Sequence, residues 1–280
     1  IAVSTLAMGV TDHHAVWFGA RWLAGFCSAA TLIIVSTYHI KYLSAPEHGN
    51  LQGWVFAGVG AGITLVGSGV LVMMLMSATS QTIWLCFGGL ALAGSVYLSV
   101  QQPDLTLPLA SAAGGEESHR TPLSWPIILP YAAMGFGYIV PATYLPVMAK
   151  EILPSPLIFG LGWPVFGAAA AISTIVIGRL QSRYSNRQIW LTSQLVMALG
   201  LLAPVTSQSI FAIVIAAICV GGTFMVITMA GMKEAHRIAG PKDAQRHVAA
   251  MTFAFATGQI AGPFVAGRAF ETLGEIGRAH

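Results

Sequence analysis

Apolar residues in this chain show neither the alternation of a half-buried strand nor the one-sided stripe of a soluble amphipathic helix. They form unbroken runs of about 18 or more residues, the length a helix needs to cross the ~30 Å hydrocarbon core of a bilayer. The runs occupy residues 15–38, 52–76, 81–100, 125–148, 155–178, 188–205, 208–231 and 247–268, with a shorter apolar stretch at residues 1–10. Eight membrane-spanning helices are therefore predicted. One long polar connection, residues 101–123, contains Pro103, Pro108, Gly114, Gly115, Glu116 and Glu117, a composition that buries no core, and it reads as a linker between two halves. The run that follows it contains Pro130, Pro141 and Pro146 together with Gly135 and Gly137. A membrane helix tolerates proline where neighbouring helices, side chains or water satisfy the freed carbonyls. This segment is expected to face protein or a cavity.

Composition agrees with that pattern. The chain is 55% hydrophobic and only 8% charged, whereas a soluble domain has about 25% charged residues. The fold class expected is all-α, a polytopic membrane helix bundle with the lipid bilayer as its surroundings. The net charge of +3 is less informative than its distribution. Alternating the runs across a membrane puts Lys41, Arg120, Arg179, Arg183, Arg187, Lys233, Arg237, Lys242 and Arg246 on one side, while the connecting loops of the other receive Lys150; Arg268 ends the last run on that poorer side. The positive-inside rule makes the rich side cytoplasmic, and the 101–123 loop with it. Trp17, Trp54, Trp84, Trp125 and Trp190 fall near run ends, at the headgroup level that indole rings prefer. Nothing in this charge pattern suggests a nucleic-acid partner.

Candidate chemistry is sparse. Every Asp and Glu lies outside the runs, so Arg21 is the one unambiguous ionisable group within a membrane segment. Such a charge is costly unless it faces water, a partner or an anionic ligand; the structural alternative is snorkelling to the outer headgroups. Gly25 and Ser28 follow Arg21 on one helical face. Tyr131, Gly135 and Tyr138 share a face of the 125–148 run, and their phenols suit stacking and hydrogen bonding to a solute, although tyrosines in bundles are commonly packing residues. Trp163 has the same ambiguity. Gln259 is either interhelical glue or a ligand contact. Gly58 with Gly62, and Gly258 with Gly262 and Pro263, have the small-residue spacing that lets helices approach or slide. Cys27, Cys86 and Cys219 show no metal-type spacing, and no nucleophile with a partnered base or HExxH pattern occurs. No cofactor or metal is expected, and an enzyme is disfavoured.

Three stretches resemble the major facilitator superfamily and, within it, the YbfB/YjiJ family of bacterial transporters: residues 53–62, GWVFAGVGAG; 131–149, YAAMGFGYIVPATYLPVMA; and 251–267, MTFAFATGQIAGPFVAG. The resemblance implies two pseudo-symmetric halves in a bacterial inner membrane. Residues 1–100 would be the remainder of the N-terminal bundle, from the end of helix three to helix six. Residues 101–123 would be the cytoplasmic linker, 124–270 helices seven to eleven, and 271–280 a non-native or frayed tail; the first two helices and the twelfth would lie outside the chain. Arg21 and Gly25 look like the fourth-helix motif linked to proton transfer. GRLQSRYSNRQ, from Gly178 through Arg183 and Arg187, resembles the loop motif that gates alternating access, with Ser182 where that motif has Asp and Ser185 where it has Gly. Gly258, Gly262 and Pro263 resemble a glycine-proline motif associated with antiporters in helix five. Pro141 would bend helix seven.

The function implied is secondary active transport of a small organic solute by alternating access, with proton coupling as the family expectation. The rivals are an uncoupled facilitator and a non-transporting membrane receptor or scaffold.

Overall fold

A computed structural model describes residues 1–43, 49–101, 121–152, 160–207 and 209–278, with side chains placed for 1–35, 50–101, 121–144, 160–207, 209–240 and 243–268. The expected linker at 101–123 lies mostly outside the described residues, as does the end of the tail expected at 271–280. The helices are α1 (Ala2–Val10), α2 (His14–Leu43), α3 (Gly49–Leu75), α4 (Ser80–Gln101), α5 (Trp125–Ile152), α6 (Gly162–Leu180), α7 (Asn186–Thr206) and α8 (Ile210–Arg278). α8 is two helices that meet at Gly240, whose φ of 68° and ψ of 175° are not helical and bend the element into two arms. Only a residue without a Cβ adopts that conformation freely. Eight segments among the described residues are long and apolar enough to span a membrane, including the two arms Ile210–Gly240 and Asp243–Arg268. The all-helical, eight-span expectation is met.

α5 is one helix from Trp125 to Ile152, with its prolines inside it. The polar stretch after Gly231 is helical as well. The first arm of α8 has 31 residues, about 46 Å at 1.5 Å per residue, well beyond the hydrocarbon thickness. Its Lys233, Glu234 and Arg237 are thus on a rigid helical extension rather than a loop.

The chain packs as two units, Ile1–Ile34 with Val72–Pro122, and Val35–Leu71 with Leu123–His280. In the first, α1 lies against α4. Gly88 permits this, because a Cβ there would stand 2.8 Å from the Leu6 side chain. In the second, α5, α6 and α7 all pack on α8, and α3 crosses α6. The crossing uses glycines seven apart on α3. A Cβ on Gly53 would stand 2.6 Å from the Thr174 carbonyl and 3.2 Å from the Gly178 Cα, one on Gly60 would meet the Gly167 carbonyl at 2.6 Å, and one on Gly67 the Pro164 ring at 3.0 Å. Two turns separate these positions, so they form one face on which the helix backbones touch. Gly58 and Gly62 have open space where a Cβ would be. Across the α5–α8 contact, a Cβ on Gly258 would lie 2.9 Å from the Phe136 amide nitrogen, Gly262 faces Ile139 and Val140, and Gly135 faces the Phe255 backbone. The Tyr144 hydroxyl donates to the Pro263 carbonyl at 3.2 Å. Pro141 is buried.

Candidate functional site

Four rings from four membrane segments meet in the second unit. Tyr138 of α5 stacks on Phe224 of α8, with centroids 5.0 Å apart and planes at 23°. It also lies 6.0 Å from Phe166 of α6 and 6.1 Å from Phe255 on the second arm of α8. Phe166 contacts Phe224 at 5.2 Å, and Trp163 extends the group with its ring 5.6 Å from Phe166. Tyr138, Phe166, Phe224 and Phe255 each fall near the middle of their apolar run, so the cluster stands at mid-membrane depth.

Its polar equipment is small. Phe166 and Phe224 are buried and make a floor, whereas Tyr138 is half-buried. The Tyr138 hydroxyl has no hydrogen-bond partner among the described residues. Gln259, one helical turn beyond Phe255, is likewise without one. An unpaired phenol beside aromatic faces can take a solute's polar edge while the rings take its apolar body. Tyr131 differs: it is 4% exposed, its hydroxyl interacts with Thr228, and its ring packs edge-on to Trp190 at 6.3 Å and near Phe255 at 5.7 Å. That is a support beneath the cluster.

A second constellation lies at the arginine-rich helix ends. Ser185 caps α7, its hydroxyl accepting from the Gln188 amide while the Gln188 side chain accepts from the Ser185 amide. The next residue, Asn186, donates to the Ala230 carbonyl at 2.8 Å and to Glu234 at 3.3 Å. Glu234 is 3% exposed and accepts two bonds from the Arg237 guanidinium, at 2.9 and 2.6 Å, with Arg187 3.9 Å away. Lys233 donates to Gln181. Sequence reasoning stopped at Ser182 for want of a carboxylate in the loop. The carboxylate instead comes from a different helix, and only the seating of the 178–188 turn against α8 reveals it. Arg183 is exposed.

The remaining expected residues are elsewhere. Arg21 is exposed, with its guanidinium carbon 4.8 Å above the Trp84 ring, a cation–π contact within the first unit. Trp17 packs edge-on to the same indole at 6.4 Å. Ser28 is exposed, and Gly25 has open space beside it. His247 lies near the start of the second arm of α8. Its side chain is fully buried, with Nδ1 3.1 Å from the Asp243 carbonyl and Nε2 lacking a partner. No group of three or more metal-ligating side chains occurs among the described residues.

A family model described as "Uncharacterised MFS-type transporter YbfB" matches residues 1–280. The chain belongs to this family of major facilitator transporters. No curated protein matches it. Family membership makes the chain a multi-pass membrane transporter, and it gives the aromatic cluster and the polar helix ends a shared context. A YbfB-type transporter needs a place for its solute and elements whose packing changes as the solute crosses. The Tyr138 cluster offers stacked aromatic faces, and the Glu234 group is a discrete set of polar contacts between α7 and α8.

Proposed function

We propose that this transporter carries a small organic solute by alternating access, holding it against the aromatic cluster at mid-membrane depth. The observation that carries the reading is Tyr138, whose ring is fixed by three neighbours while its hydroxyl is left unpaired. Trp163 and Gln259 flank the same solute, and Tyr131 supports the floor. Among the described residues no carboxylate lies near the rings, so a solute with an aromatic or apolar body and few charges suits them better than a polyanion.

Alternating access exposes such a site to each side in turn as two helix bundles rock. Residues 1–100 and 124–270 are the halves of that movement. The arginine-rich helix ends and the 101–123 loop face the cytoplasm of a bacterial inner membrane, following the positive-inside rule. Contacts of Glu234 with Asn186 and Arg187 tie the cytoplasmic ends of α7 and α8 together, with Arg237 of the same helix completing the group, so that this half moves as one body. Backbone contacts at Gly178, Gly258, Gly262 and Pro263 and the buried Pro141 let α5, α6 and α8 shift as packed rods. Gly58 and Gly62 leave room on the remaining face of α3.

Transport is proton-coupled in this reading. Support comes from His247, a fully buried imidazole whose Nε2 has no partner among the described residues, with Arg21 and Ser28 in the first unit as further coupling candidates. The test is solute-driven proton movement in proteoliposomes, across a panel of sugars, organic acids and aromatic cations. Solute flux with a matching proton signal supports the coupled transporter. Flux without one makes the protein a facilitator, and absence of flux for every solute in the panel counts against the site.

A further inference from the structure

A groove of about 660 Å³ opens on the second unit, away from the ring cluster. Its floor is the first arm of α8, at Ile218 and Gly222, and its walls are α6, at Ile172 and Val176, and α7, at Thr192 and Val196. On α6 the lining runs from Val165 to Ile177, about 18 Å at 1.5 Å per residue, close to one leaflet's share of the hydrocarbon core. The surface is alkyl in character. The hydroxyls of Ser173, Thr192 and Thr223 are turned onto carbonyls of their own helices, Ala170 at 3.1 Å, Gln188 at 2.7 Å and Cys219 at 2.6 Å.

Beyond the lining, the end of α6 and the turn after it are charged. Arg179 lies three residues after Val176 and seven after Ile172, so it continues the lining stripe past the end of the apolar run. Arg183 follows on the next turn, where the Arg183 and Tyr184 amides still bond back to the Leu180 carbonyl. Both arginines are exposed, and neither has an ion-pair partner among the described residues. An alkyl slot of one-leaflet length that ends at two unpaired guanidinium groups matches one partner in both polarity and dimension. We infer that the groove bounded by α6, α7 and α8 binds an anionic phospholipid of the arginine-side leaflet, with an acyl chain on Gly222 and the phosphate on Arg179 and Arg183. Basic sites between membrane helices recognise anionic headgroups in this way, and the planar guanidinium fork matches phosphate oxygens.

Native mass spectrometry of the detergent-extracted transporter, titrated with phosphatidylglycerol or phosphatidylcholine, tests the assignment. Wild type is expected to prefer phosphatidylglycerol at least tenfold. Arg179→Gln and Arg183→Gln should each reduce its binding roughly fivefold, as expected for about 1 kcal/mol per arginine, and leave phosphatidylcholine unchanged. Gly222→Leu fills the floor without a backbone clash, since a Cβ there first meets Ala169 and Ser173 at 3.9 Å, and should weaken both lipids. Ile172→Trp narrows the slot from its wall and serves if Gly222→Leu does not fold. Equal binding of the two lipids by wild type, or full phosphatidylglycerol preference in the arginine variants, overturns the inference. So does a benzoylphenylalanine at Ile172 that crosslinks in membranes to another helix or a second copy rather than to phospholipid.

Discussion

Tyr138 and Phe224 stack ring on ring across the α5–α8 contact, 5.0 Å between centroids and 23° from parallel. The pair ties a helix with four prolines to the most buried membrane segment of its unit, the first arm of α8. Replacing Tyr138 with Leu removes the stack and part of the floor. The expected cost is about 1–2 kcal/mol from lost ring packing, seen as a lower Tm in detergent. Tyr138→Phe keeps the ring and should match wild type within about 0.5 kcal/mol, because the hydroxyl has no protein partner to lose. Equal destabilisation by both variants would mean that the hydroxyl is a structural bond after all.

The α3–α6 crossing makes a sharper contrast. Gly60→Leu forces a side chain into the backbone of Gly167 and Ala171, and overpacking of that kind costs typically 1–3 kcal/mol. Gly58→Ala meets open space and should be neutral or raise stability by up to about 1 kcal/mol through helix propensity. Thermal unfolding of the two variants side by side checks the pair, and a destabilising Gly58→Ala would show that its face is occupied.

Much of the fold was legible because membrane helices announce themselves by length and apolarity alone. The spans were placed to within a few residues, except that the 155–178 run is described as helix only from Gly162 and the 208–231 run continues as helix to Gly240. The contact face of α3 was not legible. Gly53, Gly58, Gly60, Gly62, Gly67 and Gly69 share one apolar context, and four-residue spacing favoured Gly58 with Gly62, whereas the partner helix selects Gly53, Gly60 and Gly67. Tyr138 and Trp163 were singled out from residue type, but Phe166, Phe224 and Phe255 were not, since a phenylalanine in a membrane run has no distinguishing mark until three others stand around it. Glu234 escaped because the loop motif directs attention to Ser182, and a capping box at Ser185 to Gln188 was readable but went unused. His247 stands at the edge of its apolar run, a position that says nothing about burial.

Glu234 should behave as a shared acceptor. Glu234→Gln leaves an amide for Asn186 but removes the charge facing Arg237 and Arg187. With Arg237 largely exposed, the expected loss is about 1–2 kcal/mol and shrinks in high salt. A double-mutant cycle with Arg237→Gln should show clear coupling; additive single effects would separate the two residues energetically.

His247→Gln keeps a polar group of similar reach but cannot carry a proton at neutral pH. In reconstituted vesicles it should retain solute exchange driven by a solute gradient while losing the accompanying proton movement. An unchanged proton signal would place coupling elsewhere, with Arg21 the next residue to vary.

The proposed transport cycle rests on solute binding at the Tyr138 cluster. Its most direct test is solute counterflow in proteoliposomes with the same panel of sugars, organic acids and aromatic cations, run for wild type, Tyr138→Phe and Tyr138→Leu. The prediction is exchange of at least one solute with an aromatic or apolar body, lowered about tenfold or more by Tyr138→Leu and by less in Tyr138→Phe, as loss of one stacked ring and one hydrogen bond would give. Exchange of a solute at wild-type rate in folded Tyr138→Leu protein would contradict it.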